Sequence, residues 1–436
     1  MLNMELYSTR NRSERVSLEE AVMRGLPPDN GLYMPAAIPK LPAEFWDTLE
    51  DLSFPELSFR MSRTLMGDSL PEQELEAIIR AAISFPAPLI SLTSDLHILE
   101  LFQGPSFAFK DFGARFMARL MSYFNRNADR ELTILVATSG DTGGAVAAGF
   151  FQTPGIRVVI LFPSGKVSPL QEKQLTTWGS NIFPLEVNGN FDDCQQMVKQ
   201  AFLDEDLKQT RRLSSANSIN IARLIPQSFY YVEGWKQLER KDKATTFVVP
   251  SGNFGNLTAG ILARRMGLPA HHFVAATNAN KIVPEYLETQ TFEPKASIPT
   301  LSNAMDVGNP SNFVRLLDLY GSTWNIMQRN IAGFHFSDEE TLQEIRSTVK
   351  EHGYLPCPHT AIGLLAAKRF RSIKPDEQAV VLATAHPAKF IPVIEKAIGR
   401  PPDIPESLRQ LQQKEGKAQR IEAHFPELKA FLHDLD

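Results

Sequence analysis

"LTILVATSGDTGGAVAAGFFQTPGIRVVILFP", residues 132–163, holds two apolar, β-branched runs separated by a glycine-rich turn and an apolar helical stretch. Runs that are apolar throughout, rather than at every second residue, predict strands covered on both faces, and strands alternating with helices predict a parallel sheet. The pattern continues outward with "SGKVSP" (164–169), a helix in "LQEKQLTTWG" (170–179), a strand in "NIFPLEVNG" (181–189) and a helix in "FDDCQQMVKQAF" (191–202). It resumes with strand "TTFVVP" (245–250), loop "SGNFGN" (251–256), helix "LTAGILARRMG" (257–267) and strand "HHFVAATN" (271–278), and ends with "AVVLATA" (379–385) before "HPAKFIPVIEKAIG" (386–399).

Two α/β lobes follow from this alternation. We expect an N-terminal subdomain over 1–100, a smaller lobe over 101–210 and a larger lobe over 211–436 that includes the C-terminal helices. In the first segment, "PEQELEAIIRAAI" (71–83) has a helical period and "APLISLTSDLHILEL" (87–101) reads as one or two strands. A helix is predicted from near Ser218, and the tail from 401 reads as polar surface helices.

The bulk numbers exclude several classes. With 436 residues and 43% hydrophobic content the chain can bury a large core, and 45 Lys+Arg against 50 Asp+Glu leave a net charge of -5, too little positive field to recruit nucleic acid or an anionic membrane. No window approaches the roughly 18 apolar residues of a spanning helix, and the first residues lack a signal-peptide run, so the expected location is the cytoplasm. Cys194 and Cys357 belong to no C-x-x-C pair and the nine histidines include no H-E-x-x-H, so no metal is expected. The sequence leaves the oligomeric state open and is compatible with a monomer.

Chemistry concentrates at three strand-to-helix loops and one lysine. In an open parallel sheet, ligands bind at loops beyond the carboxyl ends of the strands. The loop Gly252, Asn253, Phe254, Gly255, Asn256 offers backbone N–H groups and a helix N-terminus to an anion; a plain helix start capped by Asn256 is the competing reading. The loop Ser139, Gly140, Asp141, Thr142, Gly143 has the same form with a carboxylate inside it, which argues against a nucleotide pyrophosphate. Thr384, before His386, ends the third strand with a neutral hydroxyl, though a cap or sheet-filling role is equally open to it. Lys110 stands in "GPSFAFKDFG" (104–113), among aromatics. It belongs to neither a kinase nor a P-loop, since H-R-D and G-x-x-x-x-G-K-[ST] are both missing.

A lysine in an apolar setting, a phosphate loop without magnesium partners and a neutral hydroxyl together point to pyridoxal phosphate. Burial favours the neutral amine that an aldehyde requires, and the cofactor acts as an electron sink. Taken singly, Lys110 reads as a snorkelling lysine.

Longer stretches then resemble a family. "GPSFAFKDFGARFMA", "ATSGDTGGAVA", "FPSGKVSPLQEKQLTTWG", "SSANSINIAR", "VPSGNFGNLTAG", "TLSNAMDVGNPSN" and "ATAHPAKF", with the N-terminal "YSTRN" and "VSLEEAVMRGLPPDNGLYMP", are similar to bacterial threonine synthases over about residues 4–400. The resemblance implies a fold-type II pyridoxal-phosphate enzyme that converts O-phospho-L-homoserine and water to L-threonine and phosphate. It makes Lys110 the Schiff-base lysine, the 252–256 loop the holder of the cofactor phosphate, and Thr384 the partner of the pyridine nitrogen. Ser139, Asp141, Thr142 and Arg223 become candidates for substrate contacts, and Arg115, Lys173, Arg223 and Lys389 candidates to clamp the leaving phosphate. Two positions depart from expectation: Ser106 stands where many members have Thr, and Asp141 where other fold-type II enzymes have Asn. The alternatives are a phospholyase that releases an α-keto acid with phosphate, and a non-catalytic binding protein on the same fold.

Overall fold

A computed structural model describes residues 3–138 and 140–435. Among these, the strands β1 (Glu5–Ser8), β2 (Asn11–Ser17) and β3 (Tyr33–Pro35) form a small antiparallel sheet. The apolar run 87–101 folds as a hairpin of β4 (Leu89–Thr93) and β5 (Leu96–Glu100). The repeat over 132–202 supplies β6 (Leu132–Ala137), β7 (Ile156–Pro163) and β8 (Ile182–Asn188), and β9 (Arg212–Ser215) follows outside it as a strand the sequence pattern did not mark. The later repeat supplies β10 (Thr245–Pro250), β11 (His272–Thr277) and β13 (Gln378–Ala383); β12 (Ile331–His335) is a strand the sequence pattern did not mark, and the tail adds β14 (Gln419–Glu422).

Two larger sheets carry the site. One has the order β12-β11-β10-β13-β5-β4 and is parallel except for the edge strand β4; the other, β14-β8-β7-β6-β9, is parallel throughout. Every residue of β6, β10 and β13 is buried, which is the physical meaning of their unbroken apolar runs. The two helices nearest the lysine approach closely because Gly149 has no side chain: a Cβ there would stand 2.9 Å from the Ala114 carbonyl carbon.

Sheet membership departs from single cuts in the sequence. β5 lies beside β13, with Ile98 opposite Val381, so residues just before 100 complete the larger sheet. β9 lies beyond residue 210 yet pairs with β6, and β14 pairs with β8, with Ile421 opposite Val187. The tail is therefore more than surface helix. Its helix Phe425–Asp434 buries Leu428 and Leu432 against Cys194 and Met197, and Arg157 donates to the Leu435 carbonyl at 2.6 Å. Only Ile421 of "QRIE" is buried, so the short strand has almost no local apolar signal. Leu428→Ala is expected to cost about 2–5 kcal/mol, as other buried leucines do when a cavity is left; urea unfolding would read it.

The helix predicted from near Ser218 starts later. Asn220 caps Ile221–Leu224, its Oδ1 accepting from Ala222 N at 3.0 Å, and leaves Ser218 and Ile219 as loop. No helix among the described residues is long and apolar enough to cross a membrane.

Candidate active site

Lys110 opens the helix Lys110–Asn125 and is held by backbone on its N-terminal side. Phe109 N donates to Thr384 O (2.9 Å), His386 N donates to Phe107 O (3.1 Å), and Ala108 bridges Ala385. This short ladder ties the lysine's segment to the end of β13, so Lys110 and Thr384 are neighbours although 274 positions separate them in the chain. Asp111 fastens the same segment from inside: its Oδ2 accepts from Ser106 N at 2.8 Å, and burial raises its carboxyl to about 6 despite that bond.

Among the described residues the Lys110 amine has no hydrogen-bond or ion-pair partner, and the Phe109 ring centroid lies 6.0 Å away. Desolvation lowers its pKa to about 8; Asp141 opposes the shift, while the positive charges of Lys389 and Arg223 assist it. The amine is therefore poised to lose its proton near neutral pH. That answers the oddity of a lysine among aromatics.

Asp141 begins the helix Asp141–Phe150 and is almost fully buried. Its Oδ1 meets Lys389 Nζ at 2.7 Å and accepts from Gln171 Nε2 at 3.1 Å; Lys389 also donates to Ser106 O at 2.8 Å. Burial alone would raise this carboxyl, but Lys389, Lys110 and the Gln171 amide outweigh it and hold it well below the usual carboxylate range. Lys389, a candidate clamp in the sequence, is thus committed to an internal ion pair that braces the Lys110 segment against the Asp141 helix. Asp141→Asn is expected to destabilise the fold by about 3–5 kcal/mol, because it strands the Lys389 charge in the interior. Chemical denaturation should show most of that loss recovered when Lys389→Met is added.

The loop after β10 has the form of an anion-binding turn. None of the backbone amides from Gly252 to Leu257 donates to another protein group among the described residues, and the helix Gly255–Arg265 begins there. Phe254, not Asn256, takes the capping position, in the left-handed conformation at φ 61°. Asn256 instead accepts through Oδ1 from Tyr230 OH (2.6 Å) and Tyr231 OH (2.8 Å), which leaves its buried Nδ2 donor without an acceptor. A buried orphan donor beside six free amides fits a phosphate. With Lys110 for the aldehyde and the Thr384 hydroxyl unpaired among the described residues, the residues present fit pyridoxal phosphate.

The other candidates divide. Arg223 is 2% exposed and close enough to Lys110 to act on its pKa, but it donates to Ala216 O at 2.6 Å and its Nε has no partner. Burial pushes its guanidinium down to about 10. Thr142 sits one residue into the Asp141 helix, half-buried. Ser139 lies outside the described residues. Arg115 is engaged elsewhere, on Ala81 O, Ala82 O and Ser84 Oγ, and Lys173 reaches the Lys414 carbonyl at 2.6 Å.

Sequence reasoning assigned no role to three residues that border the site. His359 Nε2 accepts from Ala304 N at 3.3 Å, and burial lowers the ring to about 4, so it stays neutral. Asn312 N donates to Asn253 O at 3.2 Å, and Arg315 donates to the Asn312 side chain. "TLSNAMDVGNPSN" contains Asn312 and was the available signal.

Comparison with known proteins identifies the family. The family model of pyridoxal-phosphate dependent enzymes matches residues 86–385, that of the threonine synthase N terminus residues 5–83, and that of the threonine synthase C-terminal region residues 360–432. The chain is 45% identical to threonine synthase of Escherichia coli over 408 residues (93% of this chain, 94% of that one) and 42% identical to that of Serratia marcescens over 434 residues (99% and 100%). Among solved structures it is similar to Escherichia coli threonine synthase (TM-score 0.91, 42% identity, 99% and 100% covered) and to a pyridoxal-phosphate-bound threonine synthase of Brucella melitensis (TM-score 0.93, 34% identity, 99% of each). With matches at both ends and across the cofactor-binding middle, the chain belongs to the threonine synthase family of pyridoxal-phosphate-dependent enzymes.

Proposed function

We propose that the chain converts O-phospho-L-homoserine and water to L-threonine and inorganic phosphate, with Lys110 attaching the cofactor and then serving as the proton carrier. The observation that carries this reading is the Lys110 amine itself, desolvated, without an ion-pair partner among the described residues and next to Thr384. When bound, pyridoxal phosphate supplies an electron sink for the pair left when a proton leaves the carbon next to the substrate's amino group.

The chain's residues do the rest. The Gly252–Leu257 amides and Asn256 Nδ2 would hold the cofactor phosphate, and Thr384 would offer the ring a neutral partner, which suits elimination and replacement better than transamination. Lys110 Nζ takes and returns protons at the substrate's α and β carbons, which its lowered pKa allows near neutral pH. Thr142 with Ser139 is assigned to the substrate carboxylate, and Arg223 to the leaving phosphate. The substrate and products are charged, water-soluble metabolites, and we place the reaction in the cytoplasm with no nucleic-acid or membrane partner.

Incubation of the purified holoenzyme with O-phospho-L-homoserine tests this. Threonine appearing in step with phosphate supports the synthase. Phosphate accompanied by an α-keto acid identifies a phospholyase, and neither product identifies a binding protein.

A further inference from the structure

Arg315 lies on the helix Phe313–Leu319 and is fully buried. All five of its N–H groups are used: Nε and Nη2 donate to Tyr33 O (3.2 and 3.1 Å), Nη2 to Ile219 O (2.7 Å), and Nη1 to Ser218 O (3.3 Å) and Asn312 Oδ1 (2.7 Å). Every acceptor is uncharged. No carboxylate among the described residues pairs with it, and burial pushes the guanidinium down to about 9 with no neighbouring anion to oppose the shift. A buried cation without a counter-ion is costly, and its natural complement is an anion that arrives with a ligand.

The anion site is one residue away. Asn312, which receives Nη1, donates its backbone N–H to Asn253 O (3.2 Å) and its Nδ2 to Ser218 Oγ (3.4 Å). Its side chain also lines the start of the phosphate loop, since a Cβ at Gly255 would lie 3.4 Å from Asn312 Nδ2. Arg315 therefore ties three separate parts of the chain, at Tyr33, Ser218–Ile219 and Asn312, around the amides 252–257.

We infer that Arg315 is a positioning residue for the cofactor phosphate: through Asn312 it holds loop 252–257 in place, and its unneutralised charge favours the dianion bound there. Lysine cannot substitute, because a single ammonium lacks the fork that spans three carbonyls and an amide. The inference rests on the assignment of that loop to the phosphate of pyridoxal phosphate.

The test compares the affinity of apoenzyme for pyridoxal 5'-phosphate and for pyridoxal, which has the aldehyde but no phosphate, in the parent, Arg315→Lys and Asn312→Ala. Arg315→Lys is expected to weaken the phosphorylated cofactor about 10- to 100-fold, the loss of one charge-assisted hydrogen bond, and pyridoxal by less than about 2-fold. Asn312→Ala should do the same, and the double variant should be no worse than the poorer single one, because both act along one connection. Equal weakening of both ligands in folded variants, or no weakening of either, overturns the inference. Should Arg315→Lys fail to fold, Asn312→Ala alone decides it by the same comparison. A parent chain that binds pyridoxal as tightly as its phosphate ester would refute the loop assignment instead, a distinguishable failure.

Discussion

Lys110→Ala is expected to lower kcat/KM for threonine formation by roughly 1,000-fold or more, the scale of removing a group that both attaches a cofactor and moves protons. The variant should still fold, because the lysine's amine makes no hydrogen bond or ion pair among the described residues and the ladder that positions it is backbone from Phe107, Phe109, Thr384 and His386. It should bind the cofactor through the Gly252–Leu257 amides, yet borohydride should no longer fix the cofactor to the chain; covalent retention would sink the assignment of Lys110. The parent apoenzyme offers an independent reading. Only the neutral amine attacks an aldehyde, and the folded amine titrates at about 8 in place of its ordinary 10.5. Cofactor uptake should accordingly speed up as pH rises toward 8 and level off above it, whereas an ordinary lysine would keep accelerating for more than two further pH units. Stopped-flow absorbance across that range distinguishes the two.

The parts of the site written in one stretch of chain were legible, and the parts made by folding were not. "SGNFGN" announces its own chemistry, because free amides and a helix N-terminus are local consequences of glycines after a strand. The unbroken apolar runs of β6, β10 and β13 likewise report burial on both faces without reference to anything distant. Lys389 shows the opposite case. Beside His386 and Pro387 it has the look of a cleft cation, yet its partner Asp141 is 248 positions away, and only the fold brings the two to 2.7 Å. Arg315 had no local cue at all: its acceptors come from Tyr33, Ser218, Ile219 and Asn312, three of them backbone carbonyls that no sequence pattern marks. β14 is similar, since "QRIE" becomes a strand only by pairing with β8.

Gly252→Ala should weaken pyridoxal phosphate by about 100-fold, the loss of one or two charge-assisted hydrogen bonds at roughly 1.5–3 kcal/mol each. An added Cβ would stand 2.9 Å from both Ala304 O and Met305 Cα and 3.3 Å from Val307 Cγ2, so either the loop or the wall opposite must move. The wall is the firmer side. Ala304 N donates to His359, Asn278 Nδ2 donates to Ser302 Oγ (3.0 Å) and Asp306 Oδ1 (2.8 Å), and Thr300 Oγ1 donates to the same carboxylate oxygen at 2.7 Å. The loop, by contrast, leaves its amides free for a ligand and has fewer bonds to resist displacement. It should shift, and the amides with it, so that equilibrium titration of apoenzyme shows the loss while turnover at saturating cofactor falls far less. An unchanged cofactor affinity would mean that the amides of this loop do not carry the phosphate, and the same titration with Lys110→Ala would then show whether the covalent link alone holds the cofactor.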